Sequence, residues 1–495
     1  MKMMSMDRHC EGAKRLKQSL FGIAQPVASP FLRLLRSCFG FASQSLAMTA
    51  KQSTFGLLAM TIIISFASCE ETGAGAVTVL TLTDTIKIAH LKNKPIQIQE
   101  EDIAYARANI LYAQSNFLPK VDMQYSYTLN DVTPPVIQLG PSRKDPQIFT
   151  GYKNENIFGL SLNESVYNGG ANIAALEQAR LDLKVARETV RSTKLEVEFE
   201  AKRLFYGLLL AYENARIAGD TVERAKVHRD DVKSMLEQGT ASKFDFLQSE
   251  VQVSKLIPNL VRAQNEVEVI TAELKKLLSM PQSENIRIEG RLEYSPIQVK
   301  EEDFLAQSYR NKPEMILKIL GVDLKKWGIE YAKAGWLPQV SANAAYTNTS
   351  NNIGDMINSR HNNWNIGVTA SIAVFDGFST KAKVDEAKAR YAQAGLEKEN
   401  YADQLAVDIK SACLDMVKSA AIIESQEDTV VEAKEALRIA EVGYENGVIT
   451  NLDVLTSQVD LAQVETNLAS GLYDYIMAKA QVDKLTGREY LEGGR

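Results

Sequence analysis

LEQARLDLKVARETVRSTKLEVEFEAKRLFYGLLLAYENARIAGDTVERAKVHRDDV, residues 176–232, places an apolar or small residue at every seventh position. The stripe runs Leu176, Leu183, Val190, Val197, Leu204, Ala211, Ala218, Ala225 and Val232. A heptad sustained this long specifies packing along a seam against neighbouring helices. From Gly170 to Gln238 only Gly207 and Gly219 interrupt it, and at 1.5 Å per residue such a helix extends roughly 100 Å. A compact globular domain has no room for that length.

Outward from this stretch the sequence turns to strands. Before it, Val121, Met123, Tyr125, Tyr127 and Leu129 alternate with polar residues, and Phe158, Leu160 and Leu162 alternate with Gly159, Ser161 and Asn163. Further on, Val340, Ala342, Ala344 and Tyr346 do the same, as do Trp364, Ile366, Val368, Ala370, Ile372 and Val374. This period of two predicts strands at about 121–129, 157–167, 339–348 and 364–375. Runs of that length with one apolar face suit tilted strands in a bilayer, or a sheet buried on one side. Four strands cannot close a barrel, and an open edge is untenable in lipid. The membrane reading therefore demands several copies, and three would supply twelve strands.

The chain also repeats itself. Asn93-Lys94-Pro95 returns as Asn311-Lys312-Pro313, and Phe117-Leu118-Pro119 with Val121 as Trp336-Leu337-Pro338 with Val340. Tyr167-Asn168-Gly169 returns as Phe375-Asp376-Gly377, and Gly239, Asp245 and Leu247 as Gly447, Asp453 and Leu455. Landmarks in one order define two structural repeats, 84–300 and 301–488, followed by a tail at 489–495. Each repeat reads helix, strand, loop, strand, long helix, tight turn, return helix. Gly239 and Gly447 mark the hairpin tips, with Ser242 and Thr450 or Asn451 capping the return helices. Pro258 predicts a bend in the first return helix.

Residues 1–47 are basic and lack periodicity, which marks them as a doubtful extension. From Met48 the order is Lys51, an apolar run to Phe66, then Phe66-Ala67-Ser68-Cys69. This reads as a secretory signal over 48–69 ending in a lipobox-like Cys69, the lipidation candidate, with Ala74-Gly75-Ala76 as an alternative cleavage site and 70–83 as linker. Residues 1–69 hold eight Lys/Arg and two Asp/Glu, so the chain's net charge of −6 becomes −12 for the remainder. Beyond Cys69 only Cys413 remains, so the exported part forms no internal disulfide.

Together these residues resemble the TolC-like outer membrane factor family over about residues 84–488. The most specific stretch is Tyr444-Glu445-Asn446-Gly447-Val448-Ile449-Thr450-Asn451-Leu452-Asp453-Val454-Leu455, echoed at Gln238–Gln248. The resemblance implies a mainly α chain with a small β part: four transmembrane strands and long antiparallel helices. A homotrimer would complete a 12-stranded β-barrel in the outer-membrane lipid and an α-helical barrel across the periplasm. The loops at 130–156 and 347–363 would face outside. The implied function is the passive exit duct of an efflux or export system, docking to a periplasmic adaptor and an inner-membrane pump. The tips would meet the adaptor through Gly239, Thr240, Ala241, Gly447, Val448 and Ile449. Asp453, Thr456 and Tyr444 match positions of the family's pore constriction, although Thr456 stands where a second acidic residue is usual and Ile449 where an arginine is. The alternative reading is a periplasmic adaptor or coiled-coil scaffold.

No enzyme is expected. His90, His228 and His361 are scattered without ligand spacing, and no phosphate loop, nucleophile elbow or CxxC is present. No metal, cofactor or nucleic-acid partner is implied.

Overall fold

The computed structural model describes residues 78–131, 135–139, 146–150, 153–355 and 362–489. Cys69, the proposed leader and most of the tail lie outside the described residues.

Strand β1 (Thr78–Leu80) leads into α1 (Leu82–Lys92) and α2 (Lys94–Ser115), then β2 (Lys120–Leu129) and β5 (Asn154–Asn168). Helix α3 (Ala171–Glu237) and the return helix α4 (Lys243–Leu277) make the first long hairpin. After β6 (Ile286–Ile288), the second half follows with α5 (Glu301–Asn311), α6 (Pro313–Lys333), β7 (Gln339–Ser350) and β8 (Asn362–Ser371). Helices α7 (Ser379–Glu445) and α8 (Asn451–Thr486) make the second hairpin. Both α3 and α7 have 67 residues.

The heptad stripe faces inward as its period demands. Val190, Val197, Leu204, Ala211, Ala225 and Val232 are buried, and Leu176, Leu183 and Ala218 half-buried. In the upper part the packing order across the chain is α2, α3, α6, α7; in the lower part it is α4, α3, α8, α7. One flank of this layer is therefore α2 and α4, the other α7. The strands repeat the arrangement, with order β2-β5-β7-β8 and all neighbours antiparallel.

A belt clasps the middle of each hairpin. Leu80 and Ile288, paired through the parallel contact of β1 with β6, pack with Ala89 and Ile96 on Phe205, Leu208 and Leu274. Val299, Phe304 and Leu305 do the same against Leu405, Ile409, Met416 and Tyr475. Cys413 belongs to this second core, where burial pushes its thiol pKa up and leaves it a packing residue.

Two expectations need correction. The last strand stops at Ser371, not near 375, because its partner β7 begins at Gln339, directly after Pro338; beyond the Gln339–Ser371 pair there is no ladder to join. The 130–156 stretch, expected as loop, contains a hairpin of β3 (Pro135–Leu139) and β4 (Pro146–Thr150). Pro258 lies inside α4, as expected, with helix on both sides of it.

Candidate functional site

Two regions concentrate unusual chemistry. The first is the four-stranded sheet. Register places Met123, Leu160, Tyr346 and Trp364 in one cross-strand row, and Val121, Leu162, Ala344 and Ile366 in the next. All share one face because side chains alternate strictly along a strand. On the opposite face the rows read Asp122, Ser161, Ala345, Asn365 and Gln124, Gly159, Thr347, Asn363. A bulge between Ser165 and Tyr167 shifts the parity of β5, so Tyr167 pairs with Val340 and joins the apolar face. Met123, Trp364, Ile366 and Val368 are each at least 70% exposed, so none of the described residues covers these side chains. At one end it turns polar: Tyr125 Oη donates to Asn156 Oδ1 (2.7 Å), and Asn156 Nδ2 donates to the Asn351 carbonyl (3.1 Å).

At the opposite end, strands hand over to helices through side-chain caps. Asn172 N–H donates to Asn168 Oδ1 (3.1 Å), and Thr380 N–H to Asp376 Oδ2 (2.7 Å). The repeated Asn/Asp thus satisfies a first-turn amide that the helix cannot.

The second region is the pair of hairpin tips. Gly239 (φ 81°) and Gly447 (φ 73°) adopt the left-handed conformation that ends α3 and α7. Each return helix then opens with a capping box. Ser242 accepts from Asp245 N–H while Asp245 accepts from Ser242 N–H; Thr450 and Asp453 do the same at 3.3 and 3.0 Å. Asp453 is exposed, and the hydroxyl and amide of Thr450 hold its carboxyl below the usual range. Thr456 is one turn further along the same exposed face, its hydroxyl bonded to the Leu452 carbonyl (2.8 Å).

The six expected tip residues divide. Gly239, Thr240, Gly447 and Val448 are exposed, Val448 at 81%, and Ala241 is half-buried. Ile449 instead turns inward, half-buried against the small tip core of Leu437, Ala440, Val454 and Leu461. It covers Gly443 so closely that a Cβ there would lie 2.6 Å from Ile449 Cδ1.

Tyr444 is half-buried, its ring edge-on to His228 at 5.2 Å between centroids. Burial and the Asp245 carboxylate raise its phenol pKa. The tyrosine leads to a node that heptad analysis passes over. Asn451, the first residue of α8, places Oδ1 2.7 Å from His228 Nε2. Its Nδ2 donates to Gln248 Oε1 (3.1 Å) and to the Asp245 carbonyl (3.3 Å). His228 and Asn451 are 7% and 3% exposed. The available signal was His228 itself, a polar residue three places after Ala225, where the heptad calls for a second apolar residue.

Among the described residues, no group of His, Cys, Asp and Glu is arranged to hold a metal ion. No helix of the described residues is long and apolar enough to cross a membrane.

A sequence profile described as outer membrane efflux protein matches residues 85–279 and 305–488. The outer membrane efflux protein BepC of Brucella suis biovar 1 (strain 1330) is 23% identical over 86% of this chain and 91% of its own length. The outer membrane protein TolC of Vibrio cholerae serotype O1 is 21% identical, over 76% and 83%. Among solved structures, the Campylobacter jejuni CmeC outer membrane channel superposes with a TM-score of 0.72 at 18% identity, covering 82% of this chain and 85% of that one. CusC gives 0.70 at 16%, over 82% and 92%.

Proposed function

The chain belongs to the outer membrane efflux protein family, and from that premise we propose how its sheet, helices and tips build an outer-membrane efflux channel. The observation that carries the reading is the four-stranded sheet, largely apolar on one face and polar on the other, with β2 and β8 unpaired at its edges among the described residues. Along β2 the apolar side chains Val121, Met123, Tyr125, Tyr127 and Leu129 span eight steps, about 27 Å along the strand at 3.4 Å each. With a tilt of roughly 40° that is about 21 Å of height, near the ~25 Å apolar band of outer-membrane barrels.

Closure is head-to-tail. The free edge β8 of one copy pairs with β2 of the next, and α7 packs against the neighbour's α2 and α4. These flanks carry the apolar surface such a seam needs. Ile98, Tyr105 and Tyr112, seven residues apart on α2, are 62–71% exposed, and Leu396, Val407, Leu414 and Val431 on α7 are 60–68% exposed. Isolated long helices with such stripes would associate. Three copies give twelve strands, the polar face lining the bore. A heterologous contact repeated by threefold rotation closes into a ring.

The helical layer continues the duct across the periplasm. Its tips, through Gly239, Thr240, Ala241, Gly447 and Val448, dock to a periplasmic adaptor that links the duct to an inner-membrane pump; Ile449 supports that surface from below. Asp453, beside Thr456, places a ring of three carboxylates at the tip entrance, where like charges attract cations, while Tyr444 braces it. The leader ends at Cys69, whose lipidation adds an anchor in the outer membrane. The chain acts as conduit and performs no chemistry.

Fractionation tests the reading. The full-length protein should be recovered from outer membranes by detergent as a heat-modifiable trimer. A soluble periplasmic monomer would refute it.

A further inference from the structure

Where the sheet hands over to the second long helix, the two repeats part at one position. Asn168-Gly169-Gly170 is matched by Asp376-Gly377-Phe378. Gly170 (φ 87°) and Phe378 (φ 68°) share the left-handed conformation, which suits glycine and strains phenylalanine. That strain builds no core: Phe378 is 67% exposed and meets Phe375, itself 75% exposed, edge-on at 5.5 Å between ring centroids. Ile372 and Val374, which lead to the pair from β8, are exposed as well. In the channel reading, on which this inference rests, these side chains continue the lipid-facing surface past the end of the sheet. They stand at the height of the periplasmic headgroups, where aromatic rings settle.

Beneath them lies a basic groove. A cavity of about 490 Å³ between α3, α6 and α7 sets Lys325, Lys383 and Arg390 against Asp182 and Glu386. Arg390 is taken up by Glu386 (2.6 Å), but Lys325 and Lys383 join no ion pair among the described residues, so the surplus positive charge is theirs. Lys383 lies four residues into α7 and Arg390 eleven, about 6 and 16 Å along the helix at 1.5 Å per residue. Side chains of a helix lean toward its N-terminus, so both reach back toward the membrane, whose headgroup layer is roughly 5–8 Å deep. Lower down, the groove runs to Glu397, which pairs with Lys318 (3.8 Å), and then meets α5, whose Tyr309 Oη donates to the Ala402 carbonyl (3.3 Å). Helix α5 belongs to the belt. Three copies of the belt would fill the bore, so the face it covers looks outward.

We propose that this junction is a binding site for an anionic phospholipid of the periplasmic leaflet. The Phe375–Phe378 pair lies against its acyl chains, and Lys325 and Lys383, with Arg390 behind them, hold its headgroup phosphate. Basic pockets at the edge of a membrane-spanning region recognise such headgroups by charge, and long basic stems reach the interface from below it.

Native mass spectrometry of the purified full-length trimer in detergent tests this, with phosphatidylglycerol against phosphatidylcholine of the same acyl chains. Phosphatidylglycerol should bind about tenfold tighter or more, the effect of two basic side chains at a lipid surface. Lys325→Gln with Lys383→Gln should bring it down to the level of phosphatidylcholine, while Lys326→Gln, exposed on α6 outside the groove, should change nothing. Phe378→Gly restores the residue of the first repeat and relieves the strain, so the trimer should melt no lower in detergent, yet it should hold both lipids more weakly. Equal binding of the two lipids, a preference that survives the double lysine change, or a Phe378→Gly trimer that binds lipid like wild type overturns the proposal. So does glycerol phosphate competing as well as the lipid, which would mark a free-phosphate site. If the protein is instead a soluble monomer, the channel reading falls. Flotation with vesicles of each lipid then judges the site alone, and binding to neither, or to both alike, overturns it.

Discussion

Replacing Ile366 by Lys separates a lipid-facing sheet from a water-facing one by free energy alone. Ile366 is 74% exposed and lies in the row Val121, Leu162, Ala344, Ile366. Four residues separate it from one end of β8 and five from the other. With a rise of about 3.4 Å and a tilt near 40°, it is roughly 10 Å and 13 Å from the two ends, close to the bilayer midplane. A lysine on the lipid face at that depth costs about 2–4 kcal/mol per chain, so about 6–12 kcal/mol for a trimer with three such sites, enough to abolish insertion. On a face exposed to water, the same change at an exposed position stays within about 0.5 kcal/mol. The neighbouring Asn365→Lys is the control: its side chain points to the polar face and should be tolerated. The assay compares heat-modifiable trimer recovered from outer membranes for the two variants. Equal trimer yields for Ile366→Lys and wild type would refute the assignment of faces.

Other consequences concern the tips. Asp453→Asn keeps an acceptor for the Thr450 amide but removes the charge, so block by divalent cations in single-channel recordings should weaken while the trimer remains intact. Thr450→Ala removes a cap worth about 0.5–2 kcal/mol and should speed protease cutting at the second tip in limited digestion. The same cap should fail in acid. The Asp453 carboxyl titrates below its unfolded value, so its contribution is present above the ordinary carboxylate range and is lost as pH falls through the lower, folded value. Digestion of the tip should therefore be flat from pH 7 to about 5 and rise only below about 4. Gly443→Ala forces a Cβ against Ile449 and should cost about 1–3 kcal/mol in thermal unfolding, with Ile449→Ala added to it restoring part of the loss.

Periodicity settled much of this protein without coordinates. The heptad from Leu176 to Val232 determined a helix far longer than any globular domain holds, because core-facing positions recur with the helical turn whatever the partner is. Strict alternation in β2, β5, β7 and β8 fixed which residues share a face, and Gly-x-x-Ser/Thr at 239–242 and 447–450 fixed where hairpins turn and return helices begin. These are local matters, decided by residues within a few positions of each other. Contacts between distant residues were not legible. The β1–β6 pair joins Leu80 to Ile288, 208 residues away, and a three-residue strand is too short to show a period. The end of β8 depended on where its partner began, and the face of Tyr167 on a bulge that breaks the parity that alternation assumes. At the tip, sequence put Ile449 on the outside, but the chain reversal at Gly447 folds it back onto Gly443, a direction set by backbone dihedrals. The Asn451 node was hidden for the same reason: His228, Gln248 and Asn451 become neighbours only when two hairpins pack, and a buried polar group declares its partner only in three dimensions.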